Sequence, residues 1–144
     1  MQSNGFNEAL DQVIAADPRF DREAYLFLRD ALDHTLKLRR KHRSDISRHV
    51  NGGELLDGVR QYALRQFGPM VVTVFHYWGL RKCEDFGEMV FNLVGAGIFG
   101  KTETDSMEDF QNAYTFQAAF VEPFQPGQPV PKESRPRPPI RKIS

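Results

Sequence analysis

The residues of this chain whose types invite a chemical reading are Asp85-Phe86-Gly87, four histidines and one cysteine. Asp85-Phe86-Gly87 matches the kinase metal-binding tripeptide in letters only. No glycine-rich phosphate loop precedes it and no catalytic-loop pattern accompanies it. It reads instead as a helix start: an acid near the N-terminus, an apolar core residue, then a glycine where a neighbour packs close. His34, His42, His49 and His76 form no HxxxH or HExxH pair, so no metal site and no cofactor are expected. His49 and Glu54 flank the Asn51-Gly52-Gly53 turn and could share a ligand, but a capping role for that turn is preferred. His76 lies in an apolar run beside Tyr77 and Trp78 and reads as a satisfied core histidine. Cys83 follows Arg81 and Lys82 at a helix start, a setting that lowers thiol pKa. It has no identifiable base partner, so an inert cysteine is expected. One cysteine also excludes an internal disulfide and a cysteine-only zinc site. No catalytic residue is assigned, and an enzyme is not the expected class.

The strongest global signal is charge. The chain is neutral overall, with nineteen basic and nineteen acidic residues, yet the charges are segregated. Residues 37–50 carry six Lys/Arg against Asp45, residues 84–122 carry eight acids against Lys101, and residues 123–144 carry five basic residues against Glu133. The basic segment and the tail hold eleven of the nineteen cations, which makes them the candidate surface for a polyanion. Arg39, Arg40, Lys41, Arg43, Arg48 and His49 are the candidate contacts in the segment, Arg81 and Lys82 before the fifth helix, and Arg135 and Arg137 in the tail. The competing account is a solvated loop plus a tail that neutralises the acidic 84–122 surface. Neither basic stretch interleaves the aromatics that single-strand binders use for stacking. Pro136-Arg137-Pro138-Pro139 has the look of a polyproline ligand, though a flexible tether is the preferred reading.

The elements that must position these residues are helices. Phe6, Leu10, Val13 and Ile14 share one face of a first helix over 7–16, stopped by Asp17-Pro18. Asp21 caps a second, with Glu23 in its first turn and a stripe of Ala24, Tyr25, Leu28, Ala31, Leu32, Thr35 and Leu36. Its helix is expected to run into the start of the basic segment, with 44–49 as a loop. Asn51 and Glu54 make a capping box for a third helix, closed by Gly68. Met70–Trp78 is β-branched enough for a strand, but Pro69 and Gly79 bound it as a short helix. A tight turn at 80–82 leads to a fifth helix with Phe86, Met89, Val90, Leu93 and Val94 inside. A short extended segment near 97–102 and a further capped helix over 107–114 complete the core. Seven of nine prolines follow Glu122, which predicts a Pro/Arg-rich flexible tail.

This pattern predicts a mainly α, five-to-six-helix compact domain over 1–122 and a tail over 123–144. The third to fifth helices resemble a helix-turn-helix or winged-helix core. A DNA-binding regulator of that type is disfavoured, because the recognition face would carry Glu84, Asp85 and Glu88 where phosphate needs cations. The expected function is a non-catalytic interaction module that binds a protein or RNA-containing partner through the basic segment and tail. The alternative is a small-ligand protein or enzyme with a pocket near His49, Glu54, His76 and Trp78. No apolar run reaches the ~20 residues of a membrane span, and the N-terminus lacks a signal peptide's basic and apolar regions. Neither a membrane partner nor a location outside the cytoplasm is therefore expected.

The strings DPRFDREAYLFLRDAL, HVNGGELLDGVRQYALRQFGPM, WGL, EDFGEMVFNLV, KTETDSMEDF and YTFQAAF resemble a small family of uncharacterised proteins described as restricted to planctomycetes and verrucomicrobia. The resemblance spans roughly residues 6–122. That family carries no assigned activity, so it implies no catalytic residue here.

Overall fold

The computed structural model describes residues 2–43, 50–99, 110–111 and 113–127, with backbone alone for 2–4 and 40–43. Five α-helices follow in order: α1 (Gln2–Ala16), α2 (Arg22–Arg43), α3 (Gly52–Phe67), α4 (Val71–Tyr77) and α5 (Cys83–Gly95). The chain is mainly helical, and the described residues include no strand.

Local chemistry sets the boundaries. Asp21 launches α2: its carboxylate accepts the Glu23 N–H at 2.8 Å, and its carbonyl accepts from Ala24 at 3.0 Å. Asn51 starts α3 through a complete capping box. Its side chain accepts the Glu54 N–H at 2.8 Å, and the Glu54 carboxylate accepts the Asn51 N–H at 3.2 Å. Gly68 closes α3, and Pro69 enters a single 3₁₀ turn over Gly68–Met70 before α4. At α5 the Asp85 carboxylate accepts the backbone N–H groups of Arg81 and Lys82 at 2.8 and 3.2 Å, which closes the turn before the helix.

The first three helices run as an antiparallel meander. The Arg29 guanidinium stacks over Phe6 at 4.8 Å, and Arg22 pairs with Asp11, so α1 lies back along α2. Arg39 pairs with Glu54, His34 stacks on Tyr62, and Phe27 meets Phe67, so α2 and α3 run in opposite directions along their length. They meet tightly at Thr35 and Gly58, both buried. A Cβ on Gly58 would stand 1.8 Å from Thr35 Oγ1. Thr35 has turned that hydroxyl back to donate to the Ala31 carbonyl at 2.8 Å. Gly58→Ala is therefore expected to destabilise the protein by about 1–3 kcal/mol through overpacking. The Thr35→Ala/Gly58→Ala pair should recover most of that loss, and urea unfolding of the four-member cycle measures it. Additive effects would show that the crossing is not where the cost arises.

The short α4 supplies the centre of the core. Phe75 is fully buried and touches Phe27, Phe86, Phe116 and Phe120 with ring centroids 5.4–5.6 Å apart. The turn after α4 rests on the α1–α2 connection, where Asp21 N–H donates to the Trp78 carbonyl at 3.0 Å. Gly79 holds φ +92, and a Cβ there would come within 2.2 Å of the Arg19 carbonyl oxygen, so only glycine fits. The same connection is tied to α5. Asp17 takes two bonds from the Arg19 guanidinium at 2.8 and 2.7 Å and one from the Asn92 amide at 3.0 Å. Arg19, opposed by burial, holds the Asp17 carboxyl well below the usual carboxylate range.

Residues 114–124 close the cluster. Tyr114 donates its hydroxyl to the Leu56 carbonyl at 2.7 Å. A π-helical turn over Gln117–Val121 then lays Phe116 and Phe120 against Phe75. Three sequence expectations need correction here. The described residues 110–115 are not α-helical, so no helix reaches Tyr114. Ile98 and Phe99 do not extend: both donate N–H groups to the Leu93 carbonyl, at 2.9 and 3.2 Å, and fold back on the end of α5. Residues 100–109, the rest of that segment, lie outside the described residues. Pro123 does enter helical structure, in the 3₁₀ turn Glu122–Phe124, because a first-turn position needs no N–H donor.

Candidate functional site

The basic segment begins on rigid backbone. α2 stays helical through Lys37, Arg40, Lys41 and Arg43. Helical register places positions 37, 40 and 41 on one side of α2, away from position 39. Lys37 is exposed and pairs with Asp33 at 3.0 Å, one turn back. Cations suit this end of a helix, where the carbonyl dipoles point outward.

Arg39 differs from its neighbours. Its side chain is only 5% exposed, and its guanidinium donates to Glu54 Oε1 at 2.7 Å. The same carboxylate belongs to the Asn51 capping box. Arg39 thus ties the C-terminal half of α2 to the first turn of α3, and its charge faces the fold rather than solvent. Sequence placed it among the surface cations because five basic residues crowd around it. The available signal was periodic: position 39 continues the buried stripe of Leu28, Leu32 and Thr35 by one more turn.

Beside that pair, a cleft of about 270 Å³ opens between α2 and α3, lined by Thr35, Leu38, Arg39, Glu54, Asp57, Gly58 and Gln61. Asp57 accepts from the Gln61 amide at 2.9 Å and pairs with Arg60 at 3.4 Å. His34, just outside the cleft, has its pKa lowered by burial, with Arg65 adding to the effect. It is held toward the neutral form.

Arg81 and Lys82 are exposed in the turn between α4 and α5. Arg48, His49, Arg135 and Arg137 lie outside the described residues, and so do the side chains of Arg40, Lys41 and Arg43. The pocket expected near His49, Glu54, His76 and Trp78 does not assemble from the described members. Glu54 stands in the first turn of α3, whereas Trp78 packs on Phe67 at its last, 5.8 Å between ring centroids. Those ends of α3 are about 20 Å apart at 1.5 Å per residue. Trp78 fills space against Phe27, Phe67 and Phe75, and His76 is exposed rather than a core residue. Its place on the outer side of a seven-residue helix was masked in sequence by apolar neighbours on both sides.

Cys83 is buried, and its thiol donates to the Tyr114 carbonyl at 3.3 Å. Burial pushes the thiol up to about 11, with the Glu84 and Asp85 charges adding to it. Arg81 and Lys82 therefore do not activate it. At pH 8 its thiolate fraction falls about 100-fold below that of an ordinary cysteine. Native protein should resist a disulfide-exchange reagent at pH 8 and react with one equivalent in denaturant. Rapid native reaction would contradict the burial. Because the folded value lies above the unfolded one, any stability linked to this thiol is complete below about pH 9 and declines as pH rises toward 11.

Among the described residues no helix is long and apolar enough to cross a membrane. They also include no group of three or more His, Cys, Asp or Glu placed to hold a metal ion. Scans against family models, curated proteins and solved structures return no match for this chain.

Proposed function

We propose that this protein is a non-catalytic interaction module whose basic segment, residues 37–49, docks on a protein or RNA-containing partner rich in negative charge. The observation that carries this reading is the continuation of α2 as helix to Arg43. It carries positions 37, 40 and 41 on one side of a preorganised backbone, so less ordering entropy opposes binding than for a loose basic loop. Arg48, His49, Arg135 and Arg137 would add cations from the neighbouring segment and tail.

The test compares wild type with a double reversal, Arg40→Glu/Lys41→Glu, for binding to a structured RNA by gel shift and for partners co-isolated from cells. Affinity should fall steeply between about 50 and 200 mM salt, and the reversal should abolish it. Binding that ignores both salt and the reversal would remove this reading. Arg39 is left out of the set because its reversal would act through the fold.

A second reading, a small polar ligand in the α2–α3 cleft, is favoured by the Arg39–Glu54 pair in its wall with Asp57 and Gln61 alongside. Ligand-dependent thermal stabilisation that is lost on Gln61→Leu would support it. Stabilisation that survives Gln61→Leu would place the ligand elsewhere.

A further inference from the structure

Among the described residues, α4 is wrapped on one side and exposed on the other. Val71 and Phe75 are buried, while Pro69, Met70, Thr73, His76 and Tyr77 are exposed. Spacings of three, four and seven residues align these five along one side of the 3₁₀ turn and helix. Of the three large hydrophobic residues exposed among the described residues, two stand here: Met70 at 53% and Tyr77 at 83%. A lone exposed apolar side chain is ordinary, but Met and Tyr together on one helix face are residue types enriched at interfaces.

The stretch of chain that carries this face is basic, although Asp21, exposed, lies beside Trp78 at its end. From Gly58 to Cys83 the chain holds Arg60, Arg65, Arg81 and Lys82 and no Asp or Glu. Arg60 pairs with Asp57, towards the N-terminal half of α3. Arg81 and Lys82 are exposed immediately after α4. The carboxylates that follow them are half-buried, and Asp85 is turned onto the backbone of the turn.

We propose that the outer face of α4 docks a short acidic amphipathic helix from another protein. Its apolar anchors would cover Met70, Thr73 and Tyr77, and its carboxylates would meet Arg81 and Lys82. Anchors at i, i+3, i+4 and i+7 match a face two turns long. Met adapts to the shape of the anchor, and Tyr brings large area at low entropic cost. A nucleic-acid strand fits less well. Two cations at one end would leave most phosphates unneutralised, and most of the face is uncharged. The surface is also separate from the basic end of α2. That end meets the first turn of α3 through Arg39 and Glu54, whereas α4 packs at the last. The two proposals can therefore fail independently.

Trp78 is the only tryptophan, adjoins Tyr77 and is half-buried, so its emission reports occupancy of this face. The full chain is titrated with a helical peptide of about 15 residues, four turns, that has Leu and Phe anchors at i, i+3, i+4 and i+7 and Glu elsewhere. The same peptide with Lys for Glu, and an oligouridine of similar length, are run alongside. The Glu peptide is expected to shift Trp78 emission and bind. Tyr77→Ala should weaken it about tenfold, and Arg81→Glu/Lys82→Glu should weaken it and flatten its salt dependence. Both variants are at exposed positions, and their far-UV circular dichroism should match wild type. The proposal is overturned if the Glu peptide does not bind, if the Lys peptide binds as well, or if Tyr77→Ala changes nothing. Oligouridine binding lost on Tyr77→Ala would assign the face to nucleic acid instead. Sedimentation showing a wild-type dimer that Tyr77→Ala dissociates would assign it to a second copy of this chain.

Discussion

Phe75→Ala should cost about 3–5 kcal/mol, the range for removing a buried aromatic ring and leaving a cavity. Phe75 sits on the shortest of the described α-helices yet joins four elements. Its ring meets Phe27 of α2, Phe86 of α5, and Phe116 and Phe120 of the closing segment. Relaxation cannot readily fill the void, because each of those rings is also held by another. Phe27 packs on Phe67 and Trp78, and Phe116 packs on both Phe86 and Phe120. Against a total stability of about 5–15 kcal/mol for a domain, this is a large fraction. Urea unfolding would measure it as a lower midpoint with the slope preserved. Phe75→Leu should recover roughly half by keeping most of the volume. A loss under about 1 kcal/mol for Phe75→Ala would mean that the cluster is not the centre of the core.

Arg39→Glu should be nearly as damaging, by about 3 kcal/mol, although it lies in the most basic stretch of the chain. The substitution puts a carboxylate against Glu54 in a site where the Arg39 side chain is almost wholly covered. Like charges there face each other at low screening, and the α3 capping box shares the disturbed carboxylate. Arg39→Met is a gentler probe, since an apolar replacement of similar length keeps the packing. Lys37→Glu is the matched control: its side chain is 72% exposed, and an exposed i, i+4 pair contributes about 0.3–0.5 kcal/mol. Thermal unfolding of the three variants separates the roles. Equal, small shifts for Arg39→Glu and Lys37→Glu would show that Arg39 behaves as a surface cation after all. The expected contrast also matters for function, because only reversals outside position 39 test partner binding without unfolding the domain.

Much of the helical framework was legible from local chemistry alone. Asp21, the Asn51–Glu54 capping box, the Gly68-Pro69 junction and the start of α5 at Cys83 are decided within four or five residues of each boundary. The buried stripes of α1, α2, α3 and α5 largely follow from helical period, although Phe27 is buried outside the expected α2 stripe. Residues 110–124 were less legible. Phe110, Phe116 and Phe120 are buried although the segment is not a regular α-helix, so neither period nor capping marks its path. Its course is set by the aromatic surface it covers.

The candidate site divides along the same line. The sequence by itself determined that cations gather at the end of α2, that Asp21 and Asn51 start α2 and α3, and that Cys83 stands at the start of α5. Only the tertiary structure decided which of those cations is available. Arg39 is withdrawn because α3 returns antiparallel and brings Glu54 to it, a pairing across fifteen residues that no local pattern encodes. His76 and Tyr77 are exposed because nothing else in the described chain packs on the outer side of α4, while Phe75 beside them is buried. Composition sees one apolar run there. A seven-residue helix laid on a core has an inside and an outside, and only the packing of its neighbours says which side is which.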